Sequence, residues 1–286
     1  DERDLQIVAD IYSRTALNFK TRLEFSLTTE TPVEELAGRI TTHTPTCLPL
    51  PARLGPTHGV SITPPQRLTL FNGSPRGPKG NTPIFLGEIA RGFGGPSETH
   101  HLVRLHETEG MVAAFAGAEC AILGFPLYTD AMPGVVKHFI EALEPLVGRA
   151  HNPALGFVVQ SGFPEGLHSR YVERYLEKLA GRLGSPYLGT VVKGEGEATR
   201  LLPDSLNKKL FARLGALGAS LATQGRFDPQ VLAQITRPER FPALLVPAFQ
   251  LFLRLPVGHF YFRNMLKENG VYERRFDQPF LLENRP

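Results

Sequence analysis

The sequence predicts an α/β protein whose centre is a doubly wound, five-stranded parallel sheet, extended at both ends. Three observations carry this expectation. Between residues 67 and 202, short apolar runs alternate with loops and helix-patterned segments, the rhythm of βα units. The runs at 120–124 and 155–160 are apolar nearly throughout, as in buried strands. At 286 residues, with 42% hydrophobic and 21% charged side chains, the chain can bury a proper core; disorder, collagen and coiled coil are excluded.

Leu17, Phe19, Thr21, Leu23, Phe25 and Leu27 alternate with polar residues, which predicts a half-buried strand. A short helix follows, with Pro32 in its tolerant first turn and Val33, Leu36, Ala37 and Ile40 facing inward. Residues 41–67 hold six prolines and read as an extended connector on a neighbouring surface. The sheet then begins with a strand at 68–71, and a Gly/Pro/Ser loop at 72–83 runs into a helix at 84–91. Next come a strand at 101–105, a helix at 108–116, a strand at 120–124 and a helix at 133–147. A strand at 155–160, a helix at 167–183 and a strand at 187–192 complete the unit. Residues 203–223 are helical, and 237–267 are rich in Phe, Leu and Pro. Pro247, Arg254, Pro256 and His259 interrupt the apolar part of that stretch, against a membrane-spanning helix. The expected organisation is an N-terminal extension over 1–66, the sheet domain over 67–202 and a helical extension over 203–286. The last caps the sheet domain, covers a subunit interface or, with its excess of basic residues, lies on a membrane surface.

Charge and cysteine content narrow the function. A net charge of +3 on 31 basic and 28 acidic side chains gives no sign of nucleic-acid binding. Two cysteines, Cys47 and Cys120, provide no disulfide framework, no four-thiolate zinc site and no cysteine-ligated iron–sulfur cluster, which points to a reducing, cytoplasmic setting. Residues 1–30 carry no basic start followed by an apolar run, so no signal peptide is expected there.

In an open parallel sheet, ligands bind at the carboxyl ends of the strands, where the strand order reverses. Three loops fall there. Asn72-Gly73-Ser74-Pro75-Arg76-Gly77-Pro78-Lys79-Gly80-Asn81-Thr82 offers backbone N–H groups, hydroxyls and a helix N-terminus to an anion. It is neither a Walker loop nor a Rossmann glycine fingerprint. The loop from Gly124 to Gly134 sets apolar and aromatic side chains beside backbone polar groups, which suits a flat, partly polar ring. Ser161-Gly162-Phe163-Pro164-Glu165-Gly166 leaves a third strand.

Ser74-Pro75-Arg76 with Gly80-Asn81-Thr82, then Pro126-Leu127-Tyr128 with Met132-Pro133-Gly134, Lys137 and Phe139, and the Ser161-Gly162 loop together resemble the flavodoxin-like FMN reductase family, which includes quinone reductases and iron–sulfur flavoproteins. The resemblance spans about residues 67–195. It implies a sheet of order 2-1-3-4-5, FMN as cofactor, and a homodimer or larger homo-oligomer. It also implies a flavin oxidoreductase that takes hydride from NADH or NADPH and passes electrons to a small acceptor such as a quinone or free flavin. An electron carrier or a non-catalytic flavin-binding module on the same fold is the alternative. The four-cysteine cluster motif of the iron–sulfur members is absent from this sequence. By resemblance, Ser74, Arg76, Asn81 and Thr82 hold the FMN phosphate. Pro126, Leu127, Tyr128, Thr129 and Asp130, with Ser161, Gly162 and Phe163, line the ring, and Tyr128 and Phe163 are the stacking candidates. No catalytic acid or base is implied.

Plainer readings stand beside these. Cys120 sits mid-strand as an inert packed thiol, and Cys47 is incidental. His100, His101 and His106 suggest a metal, but adjacent strand residues point to opposite faces, so no metal is expected. His168 is a solvated helix-end histidine or a flavin contact, and Arg76 a phosphate ligand or a surface turn charge.

Overall fold

The computed structural model describes residues 59–128, 131–200, 203–240, 242–245, 247, 251 and 260–277. The strand expected at 17–27, the helix at 33–40, Cys47 and the connector before residue 59 lie outside the described residues. So do Thr129, Asp130 and, in the C-terminal apolar stretch, residues 241, 246, 248–250 and 252–259.

Five strands, β1 (Leu68–Asn72), β2 (Ser97–His101), β3 (Cys120–Pro126), β4 (Ala154–Gln160) and β5 (Tyr187–Lys193), form one sheet in the order β2-β1-β3-β4-β5. Every pairing is parallel. The register levels the carboxyl ends: Asn72 lies opposite His101 and Gly124, Pro126 opposite Gln160, and Gln160 opposite Lys193.

Parallel strands need crossovers, and helices supply them. These are α1 (Thr82–Phe93), α2 (Thr108–Ala116), α3 (Gly134–Ala142) and α4 (Arg170–Leu183), followed after β5 by α5 (Asp204–Gln224) and α6 (Pro229–Thr236). Side-chain alternation sends Ala121, Leu123 and Phe125 of β3 into a core with Phe115 of α2, Phe139 of α3 and Leu176 of α4. Cys120 and Ile122 go to the other face, with Phe85 and Ile89 of α1, Leu214, Leu217 and Leu221 of α5, and Leu232 of α6. Apolar burial on both faces explains why β3 and β4 are buried at every position. Phe71 and Phe139 stack at 4.9 Å. Burying one such ring contributes about 2 kcal/mol.

The sequence expected a strand at 101–105, and the structure corrects this: β2 is the polar run Ser97–His101, largely exposed. Among the described strands it pairs with β1 alone, and its side chains are exposed or half-buried, so apolar content does not mark it. Helix α3 ends at Ala142, and a 3-10 turn, Glu144–Leu146, replaces the rest of the expected helix because Pro145 lacks the N–H needed to continue it. The segment before α4 is likewise a 3-10 turn, Gly166–Ser169.

Helix α5, which opens the segment the sequence set apart after residue 202, packs on α1 over the second core. Ahead of the sheet, Val60 N–H donates to Tyr187 O (2.7 Å) and Ile62 N–H to Gly225 O (2.9 Å), and Ile62 joins that core. These residues belong to one compact unit. In the other, a helix, α7 (Phe260–Glu268), is followed by a 3-10 turn, Tyr272–Arg274, where the Arg275 guanidinium lies 4.2 Å from the Tyr272 ring centroid. Among the described residues no helix is long and apolar enough to cross a membrane. An all-parallel sheet of order 2-1-3-4-5 with helices on both faces is the flavodoxin-like α/β fold.

Candidate functional site

The chain leaves β1 for β2 on one side and later β3 on the other, so β1 and β3 flank the switch point where this fold binds ligands. Asn72, the last residue of β1, organises the loop that follows. Its Oδ1 accepts from Ser74 N–H (3.1 Å), and its Nδ2 donates to Gly77 O (2.9 Å) and faces His101 Nδ1 (2.9 Å). Gly77 has a left-handed φ of 56°, which glycine adopts without strain. A Cβ on Gly80 would stand 2.3 Å from Ser74 Oγ, so only glycine lets the loop close on that hydroxyl. Ser74 Oγ accepts from Arg76 N–H at 3.3 Å.

The four residues expected to hold a phosphate divide in two. Ser74, Asn81 and Thr82 are buried, whereas the Arg76 side chain is half-exposed. Thr82 is the first residue of α1, so its N–H belongs to the group that has no partner within the helix. Thr82 Oγ1 and Asn81 Oδ1 are buried with no hydrogen-bond partner among the described residues. Such groups are costly unless something binds them.

The structure also brings in a residue the sequence reading passed over. Glu197, on the 3-10 turn Gly196–Arg200 after β5, accepts from Arg76 Nη1 at 3.2 Å and from Asn81 Nδ2 at 3.1 Å. The signal available was the glycine-punctuated Gly194-Glu195-Gly196-Glu197 turn at a strand's carboxyl end. That turn is bonded to the loop after β4: Glu195 N–H donates to Phe163 O (2.8 Å) and Gly196 N–H to Ser161 O (2.7 Å). The loops after β1, β4 and β5 therefore meet.

The ring-lining residues are placed less simply. Pro126 and Leu127 are buried, and Leu127 N–H donates to Gln160 O at 2.7 Å. Tyr128 and Ala131 exchange backbone hydrogen bonds of 2.9 and 3.0 Å across residues 129–130, leaving the Tyr128 side chain half-exposed. Ser161 N–H donates to Lys193 O at 3.0 Å, and Gly162 has open space where a side chain would be. Phe163 stacks on His168 with centroids 4.5 Å apart, and His168 Nε2 lies 3.3 Å from Glu165. The N–H groups of Leu127, Tyr128 and Ser161 are thus engaged within the chain. Desolvation lowers the Lys193 pKa at the carboxyl end of β5, and burial pushes the Cys120 thiol, at the opposite end of β3, up to about 12, which makes that thiol inert. Among the described residues, no group of three or more His, Cys, Asp or Glu is placed to hold a metal.

The His101 contact makes the first loop sensitive to acid. Asn72 Nδ2 has two hydrogens, one for Gly77 O and one for His101 Nδ1, so that nitrogen must be unprotonated. Desolvation, then Arg104, lowers the His101 pKa, against an opposing pull from Glu107. The unfolded chain therefore binds this proton more readily than the folded one. Stability is unaffected above the ordinary histidine range and falls as pH drops through it. Urea unfolding of the wild type and His101→Gln between about pH 5 and pH 7 should show a shallower loss in the variant. Equal slopes would dismiss this contact.

No family model matches the sequence, and no curated protein matches it. Solved structures do match in shape. An NADPH-quinone reductase from P. pentosaceus is 20% identical, with a TM-score of 0.44 over 55% of this chain and 98% of its own. An FMN-dependent NADH-azoreductase from Bacillus anthracis, solved with FMN, is 11% identical, with a TM-score of 0.44 over 55% of this chain and 100% of its own. An NAD(P)H:quinone oxidoreductase from Methanothermobacter marburgensis is 13% identical, with a TM-score of 0.44 over 55% of this chain and 97% of its own.

Proposed function

We propose that this chain is an FMN-dependent oxidoreductase that takes hydride from NADH or NADPH and passes electrons to a small acceptor such as a quinone or free flavin. The observation that carries the reading is the buried Thr82 hydroxyl, which lacks a partner among the described residues, at the start of α1, beside Asn81 and within a loop that leaves β1 at the switch point.

A phosphomonoester fits what these residues offer. The helix start supplies N–H groups and a positive dipole end, Thr82 and Ser74 supply hydroxyls, and Arg76 supplies a fixed cation. Gly80 keeps the loop closed where a side chain would strike Ser74. Pro126, Leu127 and Tyr128, with Ser161, Gly162 and Phe163, are the residues that would line the ring. They offer an apolar wall at Leu127 and aromatic faces at Tyr128 and Phe163. When bound, FMN supplies the hydride and electron-transfer chemistry. The protein's part is to bind, orient and shield.

The test is binding. Added FMN should lose fluorescence on mixing with the purified protein and show a shifted visible spectrum. Replacing Ser74, Arg76 and Thr82 together by alanine should weaken FMN binding by about 100-fold, as expected when several charge-assisted hydrogen bonds are lost. Rapid mixing of the FMN-loaded protein with NADH and NADPH separates a reductase from a carrier, since a carrier oxidises neither quickly. Undiminished FMN affinity in the triple variant would place the phosphate elsewhere.

A further inference from the structure

We propose that Glu197 is an internal rival of the ligand's phosphate: its carboxylate occupies two of the loop's donors, and phosphate binds by displacing it. This rests on the reading that the loop after β1 holds a phosphomonoester. The two oxygens of Glu197 divide between Arg76 Nη1 (3.2 Å) and Asn81 Nδ2 (3.1 Å), as two oxygens of a phosphate would. The Thr82 Oγ1 that a third oxygen would reach is buried and has no partner among the described residues. A carboxylate satisfies two donors and is one oxygen short of a phosphate.

Backbone constraints place Glu197 there. A Cβ on Gly194 would stand 2.6 Å from Pro164 O and 2.7 Å from Phe163 O, and one on Gly196 would stand 2.2 Å from Gln160 Oε1. Between them, Glu195 takes a left-handed φ of 55°, a conformation that L-residues adopt at a cost. With both glycines pressed against the end of β4 and the loop beyond it, the next residue reaches over to the loop of β1.

The charge balance gives the contact its consequence. Glu197 neutralises Arg76, with Arg200 a further 3.9 Å neighbour. A phosphomonoester carrying nearly two negative charges must separate that pair and then tolerate the carboxylate nearby. The pair is exposed on both sides (45% and 43%), so it yields to a stronger ligand. The loop therefore favours a ligand with a phosphate over a single carboxylate, and FMN binds more weakly than the loop's donors alone would allow.

Glu197→Gln keeps the shape and removes the charge. By fluorescence quenching, the variant should bind FMN about three- to tenfold more tightly than the wild type, with riboflavin affinity changed less than about twofold. Inorganic phosphate should raise the unfolding temperature of the variant more than that of the wild type. FMN bound equally well by both proteins, or more weakly by the variant, overturns the rivalry while leaving FMN binding intact. Phosphate stabilisation confined to the variant, with neither protein quenching either flavin, supports the rivalry and overturns the FMN reading. Silence from all three ligands overturns both.

Discussion

Arg170→Ala is expected to destabilise the sheet unit by about 3 to 5 kcal/mol, the range seen when one member of a buried ion pair is removed. Arg170, the first residue of α4, is buried, and its guanidinium is used on every side. Nη1 donates to Glu173 at 2.6 Å, Nε to Glu239 Oε1 at 2.9 Å and Nη2 to Glu239 Oε2 at 2.7 Å. Burial alone would lower its pKa, but the hydrogen bonds and charges of Glu239 and Glu173 outweigh this and raise it, so the group is charged throughout the working range. Glu173 is as deeply buried and loses this guanidinium in the variant, whereas Glu239 reaches solvent. The same contact pins residues 236–240 beside the third loop, since Gly166 N–H donates to Pro238 O (3.0 Å) and Leu167 N–H to Glu239 O (3.1 Å). Urea or thermal unfolding checks the figure, with a fall in melting temperature of roughly 10 °C. Arg170→Ala should therefore be more damaging than Glu239→Gln, which removes charge at the wet end. Equal, small losses would mean that water already shares the buried end.

The fold was legible because parallel strands buried on both faces leave a strong mark: Cys120–Pro126 and Ala154–Gln160 are apolar nearly throughout and fell where the sequence placed them. Strand β2 left none, since Ser97–His101 is polar throughout and keeps those side chains exposed or half-buried, whereas β5 at the other edge is buried almost throughout. Helix α6 was passed over although its start was written in the chain. Asp228 Oδ1 accepts from Gln230 N–H at 2.8 Å, and Pro229 occupies the first helical position. In the candidate site, the turn after β1 was readable as a loop from its glycines and hydroxyls because a turn is a local device. Glu197 was not: it reaches Arg76 across 121 residues, and no local periodicity records a contact made by the end of a different strand. Asn72 was visible as a loop residue, but its hold on His101 depends on strand register.

The second large effect is expected where α1 and α5 meet, because the approach of these helices leaves no room for a side chain. A Cβ on Gly218 would lie 2.0 Å from Ile89 O and 2.6 Å from Phe93 N, and one on Gly92 would lie 1.9 Å from Gly215 O, all of them backbone atoms. Backbone inside a helix cannot swing aside as a side-chain tip does, so the helices must part. Gly218→Val should therefore cost about 3 kcal/mol or more, at or beyond the upper end for overpacked cores. The reference is Gly87→Ala on the same helix α1. With nothing within 4 Å of its added Cβ, it should gain about 0.5 to 1 kcal/mol from improved helix propensity. The contrast in sign separates close approach from any general intolerance of substitution. The effect should also reach the site, since α1 begins at Thr82 and follows directly on Asn81. Driving α5 into the far end of α1 tilts the end that carries the proposed phosphate donors. Chemical denaturation gives the first quantity and FMN titration of the still-folded fraction the second. A Gly218→Val protein as stable as the wild type would show that the two helices have slack between them and that α1 is not held in place by this contact.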